Sequence, residues 1–242
     1  MEAAVLERKV MPKFSSISAV SFLFVFCMLG QGRAAMLEPA EIDAARLLPP
    51  PPAAESRWAK SELAELHALA STSSPADIEA ARRDDADEKP DLFNAALGFD
   101  ITALPATTKM LNDVLKEEDT DSKAAKAYFH RDRPWIVDAS IKSCVPVKPG
   151  PAANSYPSGH ASLAFSMGVV LAALIPEKAQ AILARAKEFG ERRLVCGVHF
   201  PSDIVAGQQF GTVLAVRLME KPAFKAEMDA ARAELRAAHD VN

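Results

Sequence analysis

Glycine is scarce, with 10 residues in 242, and stretches alternating apolar β-branched with polar residues are few. That combination argues against a β-sandwich or barrel and for helices. No excess of positive charge is present: 28 Lys and Arg stand against 32 Asp and Glu. Nucleic-acid binding, which leans on basic surface, is therefore disfavoured, and any anion site must be a local cluster of cations. Bilayer-length apolar runs are also missing from the body of the chain. Residues 161–175 and 204–219 are too short or too interrupted for the roughly 20 residues a spanning helix needs. Cysteine is nearly absent, with 3 residues. Hydrophobic residues, by contrast, make up 49 % of the chain, enough for a sizeable core in one ordinary domain.

The N-terminus reads as a secretory signal. Arg8, Lys9 and Lys13 form a basic start, residues 17–30 (ISAVSFLFVFCMLG) an apolar stretch, and Gly32, Ala34 and Ala35 a small-residue cleavage site. Cleavage is expected near Ala34 or Ala35, and translation can begin at Met1 or at Met11. The bland alternative is an uncleaved anchor, against which the short run and the cleavage-like site argue. Residues 1–34 hold four of the basic residues and two of the acidic ones, so residues 35–242 keep 24 and 30, a net of −6. Cys27 leaves with the leader. Cys144 and Cys196 remain, either as a disulfide, which suits an exported protein, or as two buried thiols.

Residues 35–242 read as a single all-α domain, a helical bundle with no internal repeat. Pro49 to Pro52 favour an extended strap over the domain surface rather than a docking ligand. Residues 61–70 are periodic with Leu63, Leu66 and Ala70 on one side. Ser74-Pro75-Ala76-Asp77 opens the next helix with a capping pattern. The charge run Glu79, Arg82, Arg83, Asp84, Asp85 reads as a solvated face. Residues 92–97 and 107–115 are separate apolar segments, and Asp119 to Ser122 read as the cap of a further helix ending near His130. Residues 145–153 form a loop. Helices are expected over residues 161–175, 177–192 and 204–219, with a polar terminal helix from Lys221.

Three short pieces carry chemistry. Residues 126–134 (KAYFHRDRP) place Lys126 on a helix and Arg133 just past it; alone they would be a basic helix end. Tyr156-Pro157-Ser158-Gly159-His160 precedes the apolar helix, where Ser158 is a natural N-cap and the free N–H groups of the first turn attract an anion. Residues 193–203 (RLVCGVHFPSD) supply Arg193 and set His199 four residues before Asp203. With a helix starting near Pro201, Asp203 lies under His199, where a carboxylate on one ring nitrogen makes the other a better base or nucleophile. Each piece has a bland reading. Together they hold the cations, N–H donors, nucleophile and acid that phosphate-ester chemistry requires.

The three pieces resemble the motifs of the bacterial class A non-specific acid phosphatases, within the type 2 phosphatidic acid phosphatase superfamily. They are Lys126…Arg133-Pro134, Pro157-Ser158-Gly159-His160 and Arg193…His199…Asp203. The leader, the proline strap and the helices after it add to the likeness. The departures are Arg192 where the family has Ser, and Asn154 and Ala161 at the edges of the second motif; none removes a group needed for chemistry.

The resemblance implies the helical bundle of the acid phosphatase and vanadium haloperoxidase type. It implies His199 as nucleophile through a phosphohistidine, Asp203 as its support, and His160 as the acid that protonates the leaving alcohol. Lys126, Arg133, Ser158, Gly159 and Arg193 would bind the phosphoryl oxygens. It further implies a periplasmic homo-oligomer that acts on phosphomonoesters, takes phosphate or vanadate as inhibitors, and needs no cofactor, metal, nucleic acid or membrane. His130 matches no required position and reads as pocket lining at most. Two other functions fit the same cradle, a vanadate-dependent haloperoxidase and a non-catalytic phosphate-binding envelope protein.

Overall fold

Besides Met1, the computed structural model describes residues 35–147 and 154–240. The expected leader, and residues 148–153 of the expected loop, lie outside the described residues. Among the described residues the regular structure is helical and no strand is present. In chain order the helices are α1 (Ala44–Leu47), α2 (Arg57–Thr72), α3 (Pro75–Ala86), α4 (Asn94–Leu97) and α5 (Pro105–Phe129). They continue with α6 (Pro134–Val137), α7 (Gly159–Leu174), α8 (Ala179–Val195), α9 (Pro201–Glu220) and α10 (Pro222–Asp240). None is long and apolar enough to cross a membrane.

The capping chemistry is local. Ser56 Oγ accepts the Ala59 N–H and starts α2 four residues before the periodic segment read from the sequence. Ser74 and Asp77 form a reciprocal capping box at α3. Here the solvated-face reading of the charge run fails in part. Asp84 is 4 % exposed and accepts from Arg185 at 2.7 and 2.9 Å and from Arg192 at 2.9 Å, so α3 is pinned to α8 by charge. Arg192 is thereby spent on Asp84 and Glu188.

α5 corrects a second expectation. Asp119 to Ser122 cap nothing; the helix is continuous for 25 residues. Thr107, Met110, Leu111, Val114, Glu118, Ser122 and Ala125 keep one buried stripe at helical spacing through the supposed break. Asp119 instead pairs with Lys123 one turn on, at 2.7 Å. The helix ends at His130, which takes a left-handed conformation (φ 49°, ψ 42°). That turn releases the chain towards Arg133, and Pro134 then opens α6.

The core is centred on α7, with Met167, Val170 and Leu171 fully buried, packed against α5, α8 and α9 through Met110, Leu111, Phe189, Phe210 and Leu214. α7 and α9 meet backbone to backbone. A Cβ on Gly207 would come within 2.4 Å of Ser158 O, and one on Gly211 within 2.1 Å of Ser162 O. Ser158 and Ser162 thus face Gly207 and Gly211 in the same order, so the two helices run in the same direction. Their N-termini are tied by the Ser158 N–H donating to Asp203 O at 2.9 Å. Over this end the proline strap is fixed by Leu48, which is buried, and by Tyr156 Oη donating to Pro49 O at 2.6 Å. Cys144 and Cys196 are bonded, Sγ to Sγ at 1.96 Å, which ties the segment after α6 to the end of α8.

Candidate active site

The two parallel N-termini, the end of α5 and the end of α8 converge on a cavity of about 710 Å³. Lys126, Arg133, Gly159, His160, Arg193 and His199, drawn from three separated sequence motifs, line it. Asp203 sits behind His199, fully buried. Ser158 is also fully buried and is not on the cavity surface. Its Oγ accepts the Ala161 N–H at 3.4 Å, so its side chain serves as a helix cap. His130, expected as lining at most, is not on the cavity wall either, because it is consumed as the terminator of α5.

The His199–Asp203 pair is geometrically explicit. His199 is 2 % exposed, and its Nδ1 lies 3.1 Å from Asp203 Oδ2. Its Nε2 lies 2.9 Å from Arg133 Nη1. A guanidinium can only donate, so Nε2 is the acceptor and the ring proton sits on Nδ1, facing Asp203. Asp203 Oδ2 also accepts from the Phe200 N–H at 2.8 Å and Ser155 Oγ at 2.6 Å. The ring is therefore held in the tautomer that leaves a lone pair facing the cavity.

The cations are placed by their second partners. Arg133 Nε donates to Asn154 Oδ1 at 2.8 Å and Nη1 to Val198 O at 2.7 Å. Lys126 Nζ donates to Pro157 O at 2.6 Å and stands where a Cβ on Gly159 would come within 3.7 Å of it. Arg193 is 5 % exposed, with Nη1 2.7 Å from Asp85 Oδ1. Burial and the neighbouring Arg133 push the Lys126 ammonium down to about 8, and burial brings Arg133 to about 10. Both remain charged below neutrality.

His160, in the first turn of α7, stacks on Phe189 with ring centroids 5.4 Å apart. Its Nδ1 is 3.1 Å from Glu88 Oε1 and its Nε2 3.9 Å from Asp85 Oδ1. Burial, then Arg193 and His199, hold its pKa well below the ordinary histidine range. His199 is lowered well below that range too, by burial first and then by Arg133, Lys126 and Arg193. The deep part of the cavity thus gathers Lys126, Arg133 and Arg193 around the His199 imidazole and the N-terminus of α7, an arrangement suited to a multiply charged anion, while Asp85, Glu88, Glu118, Asp119 and Lys123 also line it.

Sequence reasoning passed over several groups here. Arg131, inside the first motif, donates to Asp203 Oδ1 at 2.7 Å, and Ser155, beside the second, bonds the same carboxylate. Their place within the motifs was a usable signal. Glu62, Asp85 and Glu88 had none, because only the fold brings them to the site from α2, α3 and the turn after it.

The fold is similar to that of a solved bacterial vanadium-dependent iodoperoxidase. The TM-score is 0.56 at 20 % identity, covering 74 % of this chain and 53 % of that one. Among curated proteins, the chain is 35 % identical over 149 residues to a non-specific acid phosphatase of Salmonella typhi, and 34 % identical over 142 residues to an acid phosphatase of Zymomonas mobilis. These matches take in 60 % and 58 % of this chain, and span 59 % and 54 % of the relatives' own lengths. The PAP2 superfamily model matches residues 103–225, which include all three motifs. With that match over half its length, and with the motifs gathered around one cavity, the chain belongs to the PAP2 superfamily.

Proposed function

We propose that the protein is an exported acid phosphatase that hydrolyses phosphomonoesters through a phosphohistidine intermediate. The observation that carries this reading is the His199–Asp203 pair, whose unprotonated Nε2 faces a cavity walled by Lys126, Arg133 and Arg193. The similarity to acid phosphatases of Salmonella typhi and Zymomonas mobilis supports it.

In this reading the three cations and the Gly159 N–H take the phosphoryl oxygens, with Ser158 acting from behind as the cap that orients the first turn of α7. Arg133 turns its Nη1 donor from His199 Nε2 to a phosphoryl oxygen, and the lone pair so released attacks phosphorus. As the bond from phosphorus to the ester oxygen breaks, His160 gives that oxygen its proton and the alcohol leaves. His160, now neutral, takes a proton from water. The resulting hydroxide attacks phosphorus, the P–N bond breaks, and phosphate and free His199 result. Asp203 balances the charge on the imidazole while phosphorus is attached. No step calls for a metal.

Export is part of the proposal. It is motivated by the basic, apolar and small-residue order of residues 1–34 and suits the disulfide between Cys144 and Cys196. The test is hydrolysis of an aryl phosphate in excess EDTA by the parent and by His199→Ala. Turnover by the parent alone supports the reading. Tight binding of inorganic phosphate with no turnover by either would favour a binding protein.

A further inference from the structure

The chain before residue 103 lies outside the residues matched by the family model, yet it reaches the back of the His199–Asp203 pair. Glu62, midway along α2, is 2 % exposed and has both oxygens engaged. Oε2 accepts from Arg131 Nη2 at 2.6 Å, and Oε1 accepts the Ser202 N–H at 2.6 Å. Arg131 in turn donates from Nη1 to Asp203 Oδ1 and to Ser202 Oγ, both at 2.7 Å. Its guanidinium carbon lies 4.0 Å from the centroid of the Phe200 ring. Arg131 is not among the residues lining the cavity, so it does not belong to the cation cradle. A buried line of alternating charge results, running from Glu62 through Arg131 and Asp203 to His199.

We propose that Arg131, held in place by Glu62, is a positioning residue for phosphoryl transfer: it fixes Asp203 where that carboxylate accepts the His199 Nδ1–H hydrogen bond, and so keeps Nε2 unprotonated and aimed at the cavity. The inference rests on the reading of His199 as nucleophile. Asp203 is fully buried, and a carboxylate out of water keeps its charge only when cations and hydrogen bonds replace hydration. Its Oδ2 is shared among His199, Ser155 and the Phe200 N–H, while Oδ1 takes the charge-assisted bond from Arg131. One planar fork engages Asp203, Ser202 and Glu62 together, which the point charge of a lysine cannot do. Glu62 has two effects. It compensates a cation that would otherwise stand unpaired behind the site, and through the Ser202 N–H it anchors the first turn of the helix that carries Asp203. The segment before residue 103 is on this account part of the machinery.

The test uses the full chain and compares the parent with Arg131→Met, Arg131→Lys and Glu62→Gln, with His199→Ala as the null. Three quantities are read: kcat and KM on an aryl phosphate, the inhibition constant of inorganic phosphate, and the downfield proton resonance of His199 Nδ1. Arg131→Met should lose about 10- to 100-fold in kcat, the scale of a misaligned reacting group. Phosphate inhibition should stay within about twofold of the parent, because Lys126, Arg133 and Arg193 are untouched. Glu62→Gln should fall in the same direction by less, and Arg131→Lys should recover part of the loss. The His199 resonance should shift or vanish in Arg131→Met and persist in Arg131→Lys.

If Arg131→Met does not fold, Glu62→Gln, which is nearly isosteric, carries the comparison. A lower melting temperature with kcat and the resonance unchanged would reduce the network to plain structure and overturn the proposal. Equal losses of kcat and phosphate affinity would assign it to the cradle and overturn it as well. A parent that shows the responsive resonance but no turnover would sink the phosphatase reading and leave the positioning geometry standing.

Discussion

The proposed mechanism asks opposite protonation states of His199 and His160, and their surroundings treat them alike. Burial and the cations keep both well below the ordinary range. For His199 this is an advantage, since the ring stays neutral and nucleophilic into acid. For the acid role proposed for His160 it is a cost, because burial and Arg193 disfavour the protonated ring. A bound phosphomonoester supplies the negative charge that offsets Arg193 and Lys126 beside His160, so its pKa must rise in the complex. The basic limb of kcat, which reports the complex, is therefore expected at higher pH than the basic limb of kcat/KM, which reports the free enzyme. Coincident limbs on one substrate would contradict this account of His160. The optimum should fall on the acid side of neutrality.

A second residue-scale expectation concerns Glu118, which lines the cavity and is 3 % exposed. Burial pushes its carboxyl from the ordinary 4.5 up to about 8, and Ser162, Lys126 and Ser122 offset this only in part. A carboxyl raised on folding stabilises the fold while protonated, and that contribution drains away as pH rises through the interval between the two values. The melting temperature of the parent should decline from about pH 5 to about pH 8 more steeply than that of Glu118→Gln. Parallel curves would show that Glu118 is not the titrating group.

At the scale of elements, the proposed mechanism depends on α7 carrying His160, and the turn that opens α9 carrying His199, to the same cavity. Gly207 and Gly211 make this possible, because α7 and α9 approach too closely for a side chain between them. Gly211→Ala would drive a Cβ to within 2.1 Å of Ser162 O. It should destabilise by about 1–3 kcal/mol despite alanine's better helix propensity. Chemical denaturation reads the first effect, and kcat should fall in parallel because the N-termini are pushed apart. Full stability and activity in the variant would mean that the packing is softer than described.

α7 and α9 were legible because each is a long apolar run opened by a recognisable start, Ser158 in one case and Pro201 with Asp203 in the other. α5 was misread because Asp119-Thr120-Asp121-Ser122 looks locally like a cap. Whether it caps depends on whether Ser122 turns inward, and that is decided by α7 packed against it. Asp84 and Asp85 were misread for a related reason. A charged residue is normally solvated, and nothing in α3 announces that Arg185, Arg192 and Arg193 arrive from α8 to bury it.

At the scale of the molecule, the acidic balance of the chain and its cationic cavity are compatible because the cations are gathered at one point and backed by carboxylates brought from α2, α3 and α9. The motif residues, Asp203 among them, are readable as such; Glu62, Asp85 and Glu88 are not, since only the tertiary fold brings them in. The Cys144–Cys196 bond closes a loop of sequence separation 52. In the chain-entropy model such a closure contributes about 4 kcal/mol. Replacing both cysteines by serine should lower the unfolding free energy by that order in urea titrations. An unchanged midpoint would show that the crosslink contributes little.

The most direct test of the central claim is hydrolysis of a chromogenic aryl phosphate, in excess EDTA, by the protein and by His199→Ala. The account predicts turnover by the parent at acidic pH and none by the variant, with a phosphorylated histidine trapped on the parent by rapid acid quench. Turnover that survives the loss of His199 would contradict it, because Nε2 would then not be the atom that attacks phosphorus.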